Sequence, residues 1–239
     1  YSEKTRAAKQ SAKSTSWQLV DAKADFTRQF KLTGLRPNTK YDLVVETRGV
    51  DDAAGQKLEG QFKTASAKEQ EERVVFTVST GQTFRHQDRP DGFEIYPSMI
   101  KLKPSFFVHT GDIVYYDGLA KSKDLAHWHW QRMYSLPTNA DFHSKVASYF
   151  IKDDHDTWKN DCWPGMNSKR KGGTGGMYRF TFGQGLKIFP QQVPMGKSTY
   201  RTRRWGKDLQ IWMVEGRDFR SPNTDPDGPA KTIWGAEQM

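Results

Sequence analysis

Ser105-Phe106-Phe107-Val108-His109-Thr110-Gly111-Asp112-Ile113-Val114-Tyr115 sets the architecture of the chain. Its first half is a short apolar run of strand length, and a glycine and a carboxylate follow at once. Continuous apolar runs of this kind mark strands covered on both faces, as in parallel sheets. Gly111 permits a sharp exit from the strand and close approach of backbone to an ion. Upstream, Val74-Val75-Phe76-Thr77-Val78 is a second such run and is expected to be covered on both faces too. Between them lie a polar loop, Gly81 to Gly92, and a helical stripe in which Ile95, Met99 and Leu102 recur at i, i+4 and i+7. Pro97 suits that helix only in its first turn, and Pro104 closes it. Strand, helix, strand at this spacing predicts a βαβ unit with a parallel pair.

Downstream, Leu125 to Met133 predicts a second helix, with Ala126, Trp130, Met133 and Tyr134 on one face and Pro137 as its stop. Ser148-Tyr149-Phe150-Ile151 is a third strand, and Lys152-Asp153-Asp154-His155-Asp156 follows it. Tyr200 to Trp205 and Leu209 to Glu215 predict a hairpin across Gly206-Lys207-Asp208. The class is therefore α/β. Ligands in open α/β sheets lie beyond the carboxyl ends of the strands. Three strand ends here open into polar loops: Ser79-Thr80-Gly81-Gln82, Gly111-Asp112, and Asp153 to Asp156.

A smaller all-β region comes first. Phe26, Arg28, Phe30 and Leu32 share one face of an expected strand, and Tyr41, Leu43, Val45 and Thr47 share one face of the next. Gly34 to Asn38 supplies the turn between them. A third strand, Glu59 to Thr64, is expected after a turn at Gly55. The expected division is 1–66 for this β domain, 67–73 for a charged linker, and 74–239 for the α/β domain.

Bulk composition excludes several classes. The 239 residues are 35% hydrophobic, 27% charged and 13% aromatic, with eight Trp, which argues against disorder. No apolar run approaches the roughly 18 residues that a bilayer span needs. The formal charge of +9 is either a solvated basic surface or a field that gathers anionic substrates. No nucleic-acid-binding motif stands out, so nucleic acid enters only as a phosphodiester substrate. Cys162 is the sole cysteine, so an internal disulfide and cysteine-rich zinc sites are excluded. Any metal must be held mainly by Asp, His, Asn or Tyr, which suits Fe, Mn, Mg, Ca or Zn. The chain has neither an initiator Met nor an apolar leader, and its last residues carry no stop signal, so a piece cut at both ends is expected.

The strand-end loops hold the chemistry. Asp112 can bridge two cations, and Tyr115 offers a phenolate to a trivalent neighbour. Asp154 can hold the second ion. His155 can ligate it as well, or give a proton to a departing ester oxygen. Two metals roughly 4 Å apart stabilise both the attacking and leaving oxygens of an in-line displacement on phosphorus. His109 is expected to pack beneath the site, and His127 and His129 to be core or surface; His86 and His143 are given no role. Trp158, Asp161 and Trp163 are expected to line a pocket. Gly172-Gly173-Thr174-Gly175-Gly176, after Lys169-Arg170-Lys171, lacks the Gly-Lys-Ser/Thr ending of a P-loop and reads as a lid or surface loop.

Gly111-Asp112-Ile113-Val114-Tyr115 resembles the Gly-Asp-x-x-Tyr motif of purple acid phosphatases and of PhoD-like (alkaline phosphatase D) metallophosphatases, within the calcineurin-like superfamily. Asp153-Asp154-His155-Asp156 resembles the Asp-Asp-His-Glu of the PhoD-like group, and Asn160 matches the second Asn of an Asn-Asn pair that follows there. Phe106 to Asp112, Trp212 to Arg220 and Thr232 to Gln238 are similar to further segments of that family. Leu32 to Tyr41 resembles the tyrosine corner of a fibronectin type III domain, in which a buried Tyr hydroxyl ties back to the loop. The resemblance implies a metallophosphatase β-sandwich flanked by helices, preceded by a small fibronectin-like domain. It implies Asp112 bridging two metals, Tyr115 on the harder ion, Asp154 on the second, Asn160 in the site, His155 acting on the substrate oxygen and Arg217 clamping the phosphate. It further implies a metal-bound hydroxide as nucleophile, a phosphate mono- or diester as substrate, and a periplasmic or secreted location. Thr80-Gly81-Gln82 departs from the family's Asp-x-His or Cys-Gln, which leaves Gln82 as the ligand there. No histidine follows Arg217, so ligands of the family's carboxyl-terminal part are missing. The rival reading is a noncatalytic module that holds a polyanion or protein partner through a degenerate site. Oligomeric state is not legible.

Overall fold

A computed structural model gives the architecture; the structure describes residues 1–4, 12–51, 53–166 and 179–238. The Gly172–Gly176 run, read above as a lid or surface loop, lies outside the described residues.

The heart of the fold is a parallel three-stranded sheet of β4 (Phe76–Ser79), β5 (Phe106–His109) and β6 (Ser148–Phe150), with β5 in the centre. Ser79 pairs with His109 and His109 with Phe150, so the three strands end level with one another. All four residues of β5 are buried, and its alternation divides the core. Phe107 faces a cluster built by α1 (Ile95–Lys101), α2 (Lys123–Tyr134), α3 (Pro137–Lys145) and α4 (Phe182–Gln192), through Tyr96, Trp130, Phe142 and Phe189. Phe106 and Val108 face the antiparallel hairpin β7 (Arg201–Trp205) and β8 (Leu209–Met213), where Trp205 lies 4.7 Å from the Phe106 ring. Helices thus cover one face of the sheet and a hairpin the other.

Several expectations need correction. β4 is not covered on both faces: Phe76 and Val78 are 47% and 51% exposed, because β4 is an edge strand whose outward face is unpacked. Helix α1 forms with Pro97 in its first turn, but Ile95 and Leu102 are exposed and the buried residues are Tyr96 and Met99. Pro137 does not stop α2. That helix closes at Ser135, and Pro137 opens α3 at its first position, where its missing N–H costs nothing. Helix α4 was not anticipated, since Gly183, Gly185 and Pro190 all read against a helix. A capping box of Thr181 and Gln184 starts it. A Cβ at Gly185 would meet the Thr157 carbonyl oxygen at 1.6 Å, so the glycine lets α4 press on the chain just after the Asp153–Asp156 run.

The amino-terminal sheet is β1 (Ser2–Glu3), β2 (Lys40–Arg48) and β3 (Ala54–Lys63), all antiparallel. The Tyr41 hydroxyl, on a buried side chain, accepts the Arg36 N–H at 2.8 Å. Gly55 lies inside β3; the turn sits earlier, where the Gly49 N–H meets the Ala53 carbonyl at 3.1 Å. Phe26 to Leu32 is not a strand. Asp25 and Phe26 are left-handed, with φ of 56° and 54°, and the Gln29 side chain donates to the Val193 carbonyl at 3.0 Å. Local caps and that long-range bond override the period-two pattern. β3 packs against α3, so the small sheet rests on the helical layer.

Candidate metal centre

The three level strand ends deliver three loops, and backbone hydrogen bonds lace them together. The Gly81 N–H reaches the Gly111 carbonyl at 3.1 Å, and the Gln82 N–H reaches that of Asp112 at 2.9 Å. Asp156 is fully buried; its carboxylate accepts the Ile113 N–H at 3.1 Å and the Asp153 N–H at 2.6 Å. One side chain thereby ties the turn after β6 to the turn after β5. The Tyr116 N–H adds a bond to the His155 carbonyl at 3.1 Å.

This lacing gathers Asp112, Asp154 and His155, whose ligand atoms all lie within 4.8 Å of one another. Asp112 sits at φ 55°, a left-handed conformation uncommon for a residue with a side chain and often held at functional sites. Its Oδ2 accepts the Tyr115 hydroxyl at 3.2 Å, while its buried Oδ1 has no hydrogen-bond partner. Burial raises the Asp112 carboxyl above its ordinary value; the His155 charge opposes this, and Asp153 and Asp154 add to it. The phenol of Tyr115 is pushed up to about 12, first by burial and then by Asp112. Asp154 is buried, accepts the Asp161 N–H, and lies 3.2 Å from Arg217 Nη2.

The His155 ring lies 4.4 Å from that of Tyr115, and its Nδ1 bonds Asp117. Burial works to lower the His155 pKa, but the Asp117 hydrogen bond and charge, with Asp112 and Asp154, lift it to about 9. With Nδ1 held, Nε2 is the free ring nitrogen. Two carboxylates, one imidazole and an adjacent phenol form an oxygen-rich donor set suited to hard or borderline cations. The unpartnered Asp112 oxygen and the crowded negative charge are what a cation would relieve.

The other expected residues are placed as follows. Gln82 is buried, and its carbonyl oxygen accepts the Tyr96 hydroxyl at 2.5 Å, while its Nε2 is unpartnered. Asn160 is exposed; its N–H reaches Asp117 at 2.8 Å and its amide donates to Asp161 at 3.3 Å. Arg217 stands beside the cluster, paired through Nε with Asp153 and through Nη2 with Asp154. His109 is fully buried below the site and accepts the Gly111 N–H at 3.3 Å. Burial, with a smaller push from His143, lowers it to about 3. Trp158 is core and donates to the Phe180 carbonyl at 2.6 Å, so it lines no pocket. Burial pushes the Cys162 thiol up to about 12, which makes it a poor nucleophile.

Five acids and a lysine around the cluster were not singled out as site residues by sequence. Asp117 holds His155, Asp153 holds Arg217, and Asp156 ties the loops. Lys152 is fully buried, 2.8 Å from Glu215 and paired also with Asp218, on either side of Arg217. For Asp117, Asp153 and Asp156 the available signal was density: Asp117 follows Asp112 by five positions, and Asp153, Asp154 and Asp156 crowd around His155.

No family model matches the chain, and no curated protein does. Among solved structures it is similar to PhoD, with TM-score 0.68 and 17% identity over 86% of this chain and 44% of that one. A purple acid phosphatase from yellow lupin (Lupinus luteus) seeds aligns with TM-score 0.48 and 16% identity, over 81% of this chain and 33% of that one. This chain therefore spans less than half the length of the PhoD structure, and the likeness to PhoD is one of fold.

Proposed function

We propose that the chain belongs to a metal-dependent phosphoesterase of the PhoD-like kind, with residues 74–239 carrying part of its catalytic domain and 1–66 a fibronectin-like appendage. The observation that carries this reading is the meeting of Asp112, Asp154 and His155 within 4.8 Å at level strand ends. The PhoD-like fold supports it. Asp112 and Asp154 are the ligands of the cation, Tyr115 stands by as a third oxygen donor, and Gln82 and Asn160 are the further candidates of a two-metal set. A bound cation supplies Lewis acidity toward water and the phosphoryl oxygens. His155 holds a proton on Nε2 for the leaving oxygen, and Asp117 orients its ring. Arg217 presents a guanidinium to the phosphate, with Asp153 fixing its Nε. The substrate class is a phosphate mono- or diester, and the setting is an exported protein.

Calorimetric titration of chelator-treated protein with Mn²⁺, Zn²⁺ or Ca²⁺ tests the site. Asp112→Asn should weaken binding at least about 100-fold, the most that loss of an outer partner alone would cost. Hydrolysis of p-nitrophenyl phosphate and bis(p-nitrophenyl) phosphate, assayed on the same samples, separates enzyme from binder. Cation binding without turnover on either ester would favour the noncatalytic module; no cation binding removes the metal reading.

A further inference from the structure

Beside the acid cluster lies a feature of opposite charge. Gln82, bonded through its N–H to the Asp112 carbonyl, leads into Thr83 and then into Phe84, Arg85 and His86. The Arg132 guanidinium, from α2, lies 4.4 Å from the Phe84 ring and 4.4 Å from the Trp128 ring, stacked against both. His129 Nδ1 accepts one of its N–H groups at 2.9 Å, while its buried Nε has no partner. Arg85 is exposed and close enough for its charge, after burial, to depress the Arg132 pKa. Among the described residues no carboxylate pairs with either arginine. Arg132 thus keeps a buried N–H without an acceptor, on the ring of the residue that precedes Arg85, and an anion there would answer both the open donor and the like charge. The stacking fixes one guanidinium as a flat, preset fork, the geometry that suits phosphate.

We propose that Arg85 and Arg132, on the Phe84–Trp128 platform, form a subsite for a second phosphoryl group of the substrate. The ester taken by the neighbouring metal centre then carries two phosphates, one cleaved and one held. This specificity rests on the metallophosphoesterase reading, but the subsite itself can be tested without metal.

Arg Nε–H and Trp indole N–H signals in ¹H–¹⁵N spectra of the whole chain, in chelator, report the subsite during titration with inorganic phosphate. A saturable shift of the Trp128 indole and Arg132 Nε–H signals is expected. Arg85→Gln should weaken it about tenfold, and its exposed position makes misfolding no concern. Lys101→Gln, an equal charge loss on the α1 surface, should leave it unchanged, and Asp112→Asn should leave it unchanged or tighter. No saturable shift, or equal weakening by Lys101→Gln, would overturn the subsite. So would loss of the shift in Asp112→Asn, because phosphate would then be sitting in the acid cluster. Failure of Mn²⁺ to bind would instead strike the metal reading alone.

Discussion

Gly111 leaves β5 at φ +115°, and a Cβ there would stand 2.6 Å from Asp153 Cβ and 2.8 Å from the Asp153 nitrogen. The sequence suggested that this glycine clears a path for an ion. The structure shows a different beneficiary: it clears a path for the second loop, so the two motif runs touch directly. Gly111→Ala must therefore bear both left-handed strain and a backbone clash that no rotamer relieves. The expected cost is about 2–4 kcal/mol, read from the midpoint of urea unfolding. An unchanged midpoint would show that the loops can part freely. Asp112, Asp154 and His155 were legible because each follows an apolar strand run at once, and strand ends are where α/β sheets place ligands. Asp117 was not, because its contact with His155 depends on the turn after Tyr115 folding back, which no local pattern announces. Asp156 escaped for another reason: its partners are backbone N–H groups, and these have no signature in sequence.

Elements meet at a buried charge cluster that serves the same site from behind. Lys152 begins the loop after β6; Glu215 and Asp218 follow β8; both Lys152 and Glu215 side chains are wholly buried. Burial raises the Glu215 carboxyl, against the lowering charge of Lys152. Glu215 also accepts the Arg217 N–H at 2.7 Å, so the triad fixes where Arg217 enters the site. Lys152→Met would strand two carboxylates without their cation, and removing one partner of a buried pair costs about 3–5 kcal/mol. The midpoint of thermal unfolding should fall accordingly, and adding Glu215→Gln should recover part of the loss. A single variant as stable as the wild type would mean that the carboxylates take up protons instead. The parallel strands and the β7–β8 hairpin were legible in sequence, whereas β1, α3 and α4 were not. Pro137 can end one helix or begin another, and only packing chose; Gly185 in α4 signals close approach to Thr157 rather than a loop.

The whole molecule is a thin sheet between helices and a hairpin, and its helical core is rich in histidine. His143 rings pack on Tyr96, Phe107 and Phe150, and His143 Nδ1 bonds the Ser148 hydroxyl at 2.9 Å. No functional pattern marked this histidine, since its burial comes from α3, the helix that sequence did not show. Burial lowers it to about 4, and burial followed by the Arg132 charge lowers His129 to about 4. A histidine whose folded pKa lies below its unfolded value of about 6.5 takes up its proton first in the unfolded chain. Its contribution is therefore complete above about pH 6.5 and is lost as the pH falls toward 4. Asp156, buried and raised, works with the opposite sign, holding its proton in the folded state. Net stability alone cannot separate the two, but the difference between wild type and His143→Leu does. That variant loses the Ser148 bond at every pH, yet it has no imidazole to charge. The stability gap between the two proteins should shrink by about 1 kcal/mol from pH 7.5 to pH 5.5 in urea titrations. A gap that stays constant over that window would mean that the imidazole titrates normally in the folded core, and that the helical layer admits water where the structure closes it.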